Sequence, residues 1–329
     1  IAEVLADRLE RRAPDPPALD PLVNMVAATL DYFAELAATS LEGEPVTHGL
    51  VIASTCERSP KAGAVVYPGR LPTRKRTPLL FDGTQSTLVV DMCGYVVRGV
   101  ERTSLPAADS SSASLRAFDE LPGIEGGLTA AASASFRGIG IYLRSDRSIV
   151  VFDEGTLLFV RRGLRWRSVA FESFATTVAA LGATTDQIGQ RVARTALRLS
   201  MQGHGAILAI AQCPADLDDV IQHKDRAPSD RDEPRGDVDA DLARLLQLPD
   251  VASASGLARL ARLDGATVID LAGNVIAYGA VVRSSDSQAE GARAAAARTL
   301  STAVEIAISV SHDGPITVYR HGAPVLELL

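Results

Sequence analysis

Aromatic residues are scarce in this 329-residue sequence, at 5%, although hydrophobic residues make up 47% of it. Its cores must therefore be built mainly from Ala, Val, Leu and Ile. The sequence also lacks an apolar run long enough to cross a membrane, and no basic-then-apolar signal peptide opens it. These absences predict a cytoplasmic protein with no membrane partner.

Cysteine is equally scarce. Cys56, Cys93 and Cys213 lie far apart in the sequence and lack the spacing of metal ligands. An odd number of scattered cysteines is typical of a protein in a reducing compartment. We therefore expect buried free thiols.

The sequence has no excess of basic residues: 33 Lys and Arg stand against 40 Asp and Glu, for a net charge of -7. A nucleic-acid-binding surface needs a clustered basic face, so this balance argues against a nucleic-acid partner. It does not exclude a nucleotide, because a few Arg or backbone N–H groups suffice to bind one. Ten acidic and four basic residues fall within residues 214–241, a composition typical of a solvated loop or short exposed helices.

The length predicts two domains, because a single core rarely grows beyond about 250–300 residues. Residues 1–182 predict an α+β domain. It begins with helical periodicity from Leu22 to Leu36 and later contains a hairpin that turns at Asp153-Glu-Gly155. The alternation of Arg165 to Phe171 predicts a further strand after that hairpin.

Residues 183–329 predict a mixed β-sheet flanked by helices, so the whole chain belongs to a mixed α+β and α/β class. Thr185 is a candidate N-cap for a helix that Gly203-His-Gly205 ends. The apolar run 206–211 is typical of a central strand. A hairpin about Gly273-Asn274, an Ala-rich helix from Gly291 to about Val304 and two strands separated by Asp313-Gly314 follow.

Polar residues of this second domain fall at the ends of its predicted elements. Asp264 precedes a strand, Arg293 lies at the start of a helix, and Ser311 lies in a turn between strands. Side chains from such turns can converge on one edge of a sheet. Helix-start N–H groups beside the small Gly291 and Ala292 favour phosphate, and an Asp can hold a divalent metal or orient a hydroxyl. Each feature alone also fits a plain turn or a solvated helix residue.

The order of these motifs resembles the diadenylate cyclase domain of the DisA type, over about 140 residues. The family's Asp-Gly-Ala motif matches Asp264-Gly-Ala266, and its Gly-Thr-Arg-His-Arg motif matches Gly291-Ala-Arg-Ala-Ala295. Its Val-Ser-Glu-Glu-x-Gly motif matches Val310-Ser-His-Asp-Gly314 loosely, with one residue fewer. Domains of this family join two ATP molecules into cyclic di-AMP across a face-to-face pair of domains, using a divalent metal.

The resemblance implies ATP as substrate, Mg²⁺ or Mn²⁺ as cofactor, a cyclic dinucleotide as product and a homo-oligomer with facing domains. The residues it implies fall into three groups. The catalytic residues are Asp264 and Arg293. The nucleotide-binding residues are Gly265, Ala266, Gly291, Ala292 and Ser311. The metal ligands are Asp264 and Asp313.

The sequence departs from the family pattern where phosphates are bound. Ala294 and Ala295 stand in place of the motif's His and second Arg, Ala292 replaces Thr, and His312 replaces a carboxylate. Charge-assisted hydrogen bonds are the strong ones, so each loss could cost a few kcal/mol in a desolvated site. Arg298 or an Arg of the first domain would have to compensate for full activity.

The first domain resembles the sensor domains, named DACNV, that precede diadenylate cyclase domains in bacterial proteins. The matching features are Ser40-Leu-Glu-Gly-Glu44, Gly138-Ile-Gly-Ile-Tyr-Leu-Arg144 and the hairpin followed by Arg165-Trp-Arg167. The resemblance implies a regulatory role in sensing a ligand or partner. Trp166 and Phe159 also fit a small β-sheet core.

Three functions stay open on the sequence alone. The first is a sensor-coupled diadenylate cyclase-type nucleotidyltransferase that makes a second messenger, or a cyclase with an altered nucleotide or linkage. The second is a former cyclase that binds a nucleotide and transmits its occupancy. The third is a structural partner in a multi-domain signalling or defence assembly. No scaffold for Ser-His-Asp or Cys-His catalysis and no P-loop can be recognised.

Overall fold

A computed structural model describes residues 1–56, 65–67, 80–104, 125–222, 227, 253–283 and 291–329. The predicted mixed fold class is confirmed, since helices flank two mixed β-sheets. The chain divides into two compact units, Ile1–Glu120 with Glu125–Val169, and Ala170–Leu329 with Leu121–Ile124. Within the described part no helix has both the length and the apolar character needed to span a membrane. Most of the acidic segment 214–241 lies outside the described residues.

The first unit contains the helices α1 (Ala2–Glu10), α2 (Leu19–Ala37) and α3 (Gly127–Ser135). A short hairpin, β1 (Ser40–Leu41) with β2 (Glu44–Pro45), follows α2. The main sheet consists of β3 (His48–Ile52), β4 (Ser86–Val90), β5 (Val96–Glu101), β6 (Ile139–Leu143), β7 (Ile149–Asp153), β8 (Thr156–Arg162) and β9 (Arg165–Ser168). Its strand order is β5-β4-β3-β6-β7-β8-β9.

The core of the first unit lies on both faces of this sheet. On one face, α1 and α2 bury residues such as Leu5, Val26 and Phe33 against alternate strand residues. On the other face, Ala132 of α3 packs against Val51 and neighbouring strand residues. The periodicity of Leu22 to Leu36 therefore predicted α2 correctly.

The hairpin predicted at Asp153-Glu-Gly155 is confirmed by β7 and β8. Glu154 and Gly155 have φ values of 46° and 85°, and positive φ at both central residues is what a two-residue type I′ turn requires. The strand predicted after it is confirmed as β9. Trp166 and Phe159 pack against the main core cluster, as the core interpretation predicted.

The expectation of buried free thiols is wrong. Cys56 and Cys93 form a disulfide, and both residues are only half-buried. Cys56 follows β3 and Cys93 lies in the turn after β4. Because β3 and β4 are parallel neighbours, these two ends meet, and the Cα atoms stand 5.5 Å apart. Cys213 is exposed rather than buried.

The second unit contains α4 (Phe171–Leu181), α5 (Asp186–Met201), α6 (Ala254–Leu260) and α7 (Ala292–Leu300). Its strands are β10 (Ala206–Ala211), β11 (Ala266–Asp270), β12 (Val275–Ala280), β13 (Ile306–Val310), β14 (Ile316–Arg320) and β15 (Ala323–Leu328). Their order in the sheet is β12-β11-β10-β13-β14-β15. The sequence did not predict β15, because Pro324 interrupts its pattern. Proline is tolerated in β15 because this strand is the last one in the described sheet.

Helix α5 begins at the predicted N-cap, where Thr185 Oγ1 accepts a hydrogen bond from the Ile188 N–H at 3.4 Å. Helix α4, which the sequence pattern assigns to the first domain, packs on α5. A Cβ on Gly189 of α5 would stand 2.9 Å from the Ala175 carbonyl oxygen of α4, so the two backbones are in close contact.

Strand directions in the second unit bring the ends of several strands together at one end of its sheet. Strand β10 runs parallel to β11 and antiparallel to β13. The starts of β10 and β11 therefore meet the end of β13 at the same end of the sheet. Helix α7 covers one face, where Ala297 and Leu300 join the core with Ile207, Ala209 and Ala307.

Candidate functional site

A cleft of about 630 Å³ lies at this end of the second unit's sheet. Its lining brings together five of the residues predicted from sequence, which are Asp264, Gly291, Ala292, Arg293 and Ser311. The remaining lining residues are Ala294, Ser309, Pro315, Thr317 and Tyr319. Residues from three distant parts of the sequence thus face one space.

Gly265 and Ala266, also predicted, are not part of the lining and shape the turn behind it. Gly265 has φ +113°, and a Cβ there would stand 2.6 Å from the Ala280 backbone nitrogen of β12. Only glycine fits such a close approach at positive φ. Ala266 is buried at the start of β11. Together they hold Asp264, which is exposed, at the cleft.

Asp313, predicted as a metal ligand, is not brought to the cleft lining. Its side chain is 91% exposed, and its Oδ1 lies 3.5 Å from His312 Nδ1. Within the described ranges no group of three or more His, Cys, Asp or Glu residues could hold a metal ion. Asp264 is therefore the carboxylate in the lining that could contact one.

The N-terminus of α7 forms one wall of the cleft. Gly291 caps the helix with φ +81°, and the first helical bond runs from the Ala295 N–H to the Gly291 carbonyl at 3.1 Å. The N–H groups of the residues between them have no partner within the helix. Because Ala292, Arg293 and Ala294 line the cleft, these N–H groups and the positive end of the helix dipole favour an anion there.

The Arg293 side chain lies against Gly205, directly before β10. A Cβ on Gly205 would stand 2.6 Å from Arg293 Cζ, so a side chain at position 205 would displace the guanidinium group. The sequence pattern indicates Gly203-His-Gly205 only as the end of a helix. The available signal was a glycine directly before a buried strand, which often marks a close approach of another group.

Alternate residues of β13 and β14 form the floor of the cleft, and sequence reasoning missed them. Ser309 pairs with Thr317, and Ala307 pairs with Tyr319, so these side chains point to the same face of the sheet as α7. Ser309 and Tyr319 are buried. The period-two pattern was visible in sequence, but the face that α7 covers was not.

Cationic groups gather around His204, the residue directly before Gly205, against which Arg293 lies. The pKa of His204 is lowered by burial first and then by the positive charges of Arg262 and His312. The pKa of Arg198 is likewise lowered by burial and by Arg259 and Arg262. Such a concentration of positive charge raises the local concentration of anions.

The family's phosphate-binding motif is only partly represented in three dimensions. Arg293 faces the cleft, Ala294 lines it without a charge, and Ala295 is buried. Among the described residues, the cleft lining therefore offers one guanidinium group, helix N–H groups, one carboxylate and the hydroxyl-bearing side chains of Ser309, Ser311, Thr317 and Tyr319.

No family model matches the chain, and no curated protein matches it in sequence. Among solved structures, the chain is similar to a double mutant of DacA, a diadenylate cyclase, from Staphylococcus aureus. The two are 18% identical, the similarity covers 44% of this chain and 87% of that one, and the TM-score is 0.28.

Proposed function

We propose that the second unit is a nucleotide-binding domain of the diadenylate cyclase type that binds ATP phosphates at the N-terminus of α7. The observation that carries the proposal is the convergence of Asp264, Gly291, Arg293 and Ser311 on one cleft. Its volume lies within the range of small-molecule sites. The motif order in sequence and the convergence in space support the same ligand independently.

Each polar group of the cleft has a place in this binding mode. The N–H groups of Ala292 to Ala294 donate to phosphate oxygens, and the Arg293 guanidinium adds a charge-assisted contact. The Ser311 hydroxyl can donate to the same ligand. The positive charge of Arg262, which acts on His204, attracts the polyphosphate towards this end of the sheet.

A divalent ion fits the site in one way only. Mg²⁺ is commonly held by one or two carboxylates together with substrate phosphates rather than by an all-protein cage. Asp264 supplies one carboxylate at the cleft, which suits that mode. When bound, the ion would neutralise phosphate charge, while Asp264 would hold it and orient a ribose hydroxyl.

Condensation of two ATP molecules into a cyclic dinucleotide is the second candidate function. The presence of Asp264 and Arg293 in the same cleft favours it. The uncharged Ala294 and Ala295 oppose it, because preorganised cations supply much of the stabilisation of phosphoryl-transfer transition states. We therefore expect binding of ATP with condensation that is slow at best.

Calorimetric titration with ATP and Mg²⁺ tests the binding function. Replacing Arg293 by Ala removes a charge-assisted contact of roughly 1.5–3 kcal/mol, which predicts about a 10- to 100-fold weaker Kd. The matched control is Arg165→Ala, at an exposed position of β9 in the first unit, which should leave Kd unchanged. Wild-type affinity in Arg293→Ala would contradict the proposal.

Mass spectrometry after incubation with ATP and Mn²⁺ separates the two candidates. A cyclic or linear dinucleotide that disappears in Asp264→Asn supports condensation. ATP binding without any dinucleotide leaves the binding function alone, and no ATP binding at millimolar concentration would overturn both.

A further inference from the structure

The sheets of the two units share one topology. Strand β3 is parallel to β4 and antiparallel to β6, as β10 is parallel to β11 and antiparallel to β13. The order β5-β4-β3-β6-β7-β8 therefore matches β12-β11-β10-β13-β14-β15 strand for strand, with β9 added in the first unit. Each unit also begins with two packed helices, α1 with α2 and α4 with α5.

The pairing registers share two irregularities, although the β11–β12 ladder has a further shift, between Ala266 and Val268, that the β4–β5 ladder lacks. The β7–β8 ladder breaks between Val151 and Phe152, and the β14–β15 ladder breaks between Val318 and Tyr319. Val151 and Val318 are each the third residue of their strand. In the same way β4–β5 breaks between Val89 and Val90, and β11–β12 breaks between Val268 and Ile269. A β-bulge at a fixed position is a specific feature of a fold rather than a general property of sheets.

The turns correspond as well. Glu154 and Gly155 have φ values of 46° and 85°, and His321 and Gly322 have 50° and 77°. Asp91 Oδ1 accepts the Tyr95 N–H at 2.8 Å after β4, and Asp270 Oδ1 accepts the Asn274 N–H at 2.8 Å after β11.

The helices α3 and α7 occupy the same place between these strands. Each begins after a glycine with positive φ, Gly126 at 105° and Gly291 at 81°. The first helical bond of each reaches that glycine, from Ala130 at 2.9 Å and from Ala295 at 3.1 Å. Two residues after its glycine, α7 has Arg293 and α3 has Leu128.

We infer that the two units are copies of one fold, and that Tyr142 fills the ligand cleft of the first copy, leaving one nucleotide site per chain. Tyr142 is the fourth residue of β6, and its counterpart Ser309, on the cleft floor, is the fourth residue of β13. The assignment of the second unit's open cleft as a nucleotide site rests on the proposed function.

The position of the Tyr142 ring supports this assignment. The side chain is fully buried and lies between Gly126, at the start of α3, and Gly83. A Cβ on Gly126 would stand 2.7 Å from Tyr142 Cδ1, and a Cβ on Gly83 would overlap the opposite edge of the ring. In the second unit, the space between the start of α7 and the Asp264-Gly265 turn is the cleft.

The chemistry around Tyr142 opposes an anion. Leu128 has no charge to match Arg293. Burial raises the pKa of Tyr142, and the negative charges of Glu125, Asp82 and Asp146 raise it further, while Arg144 lowers it. Among the described residues a phosphate would meet more carboxylates than cations there, and the Tyr142 ring occupies the space that it would need. The first copy is therefore free for a function other than nucleotide binding.

The first experiment opens the filled cleft. Tyr142→Ala should lower the Tm of the first unit by roughly 10 °C, and millimolar phenol should restore part of that loss by occupying the cavity. Tyr142→Phe is the matched control, because the Tyr142 hydroxyl has no hydrogen-bond partner within the described part of the chain. Tyr142→Phe should keep the wild-type Tm, and phenol should not change that Tm. A folded Tyr142→Ala whose Tm does not respond to phenol would overturn the inference.

The second experiment closes the open cleft and stays informative if Tyr142→Ala does not fold. Ser309→Tyr should weaken ATP binding at least 10-fold without lowering Tm. The control Ser173→Tyr, at an exposed position of α4, should leave ATP binding unchanged. The wild-type chain should bind one ATP. Two ATP per chain, or wild-type affinity in Ser309→Tyr, would overturn the inference. If the wild-type chain binds no ATP, the proposed function fails and the phenol experiment alone decides whether Tyr142 fills a cleft.

Discussion

The charged groups of the cleft depend on two residues that carry no side chain. Gly205 leaves room for the Arg293 guanidinium, and Gly265 lets the turn after Asp264 approach the backbone of β12. The sequence identified Asp264 and Arg293 because their motifs occur in a recognisable order. It did not identify Ser309 or Gly205. A period-two pattern and a glycine before a buried strand were visible, but the groups that these residues face depend on strand register and on where α7 lies.

At the residue scale, Gly265→Ala should lower the unfolding free energy of the second unit by about 2–4 kcal/mol. The alanine would have to adopt a positive φ, and its Cβ would overlap with the backbone of β12. Gly291→Ala is the matched control. It also has positive φ, +81°, but its Cβ would meet no atom within 4 Å, so we expect only the cost of backbone strain, about 1–2 kcal/mol. Urea unfolding of both variants measures the difference, and equal losses would contradict the role given to the close approach.

At the element scale, the sequence predicted most helices and strands but not that they repeat. The hairpin at Glu154-Gly155 and the N-cap at Thr185 followed from local turn and cap chemistry. The correspondence between β7–β8 and β14–β15 was hidden, because matched positions differ in character, as Leu157 and Pro324 do. Backbone geometry preserves the repeat where side chains do not.

The disulfide provides a test at the same scale. It closes a loop with a sequence separation of 37, for which chain-entropy estimates give about 3–4 kcal/mol. Reduction or Cys93→Ser should therefore lower the Tm of the first unit by roughly 10 °C in a thermal melt. Cys213→Ser, at an exposed position, should change nothing. Identical melting with and without reductant would show that the disulfide does not stabilise the fold.

At the scale of the whole molecule, the position of α4 decides where the second unit begins. The sequence placed the boundary after residue 182, because an apolar helical run ends there and composition gives no sign of what that helix packs on. In the structure α4 packs closely on α5 through Ala175, Ala179 and Gly189.

Two fragments test this packing. Residues 170–329 should unfold cooperatively on their own. Residues 183–329 lack α4 and expose the face of α5 that it covers, which predicts a Tm lower by at least 10 °C, or aggregation. Circular dichroism melts of the two fragments provide the measurement. Equal stability would show that α4 is dispensable to the second unit.

The outermost strand of each described sheet bears on self-association. In the first unit β9 covers β8, whereas in the second unit β15 is the last strand of the described sheet. An uncovered strand offers N–H and C=O groups to any extended chain and so invites aggregation. Pro324 removes one donor, and the exposed Glu327 brings like charges together when two copies meet. Stacking of copies into fibres through β15 is therefore disfavoured. An ordered oligomer of this chain would have to form through surfaces other than this strand.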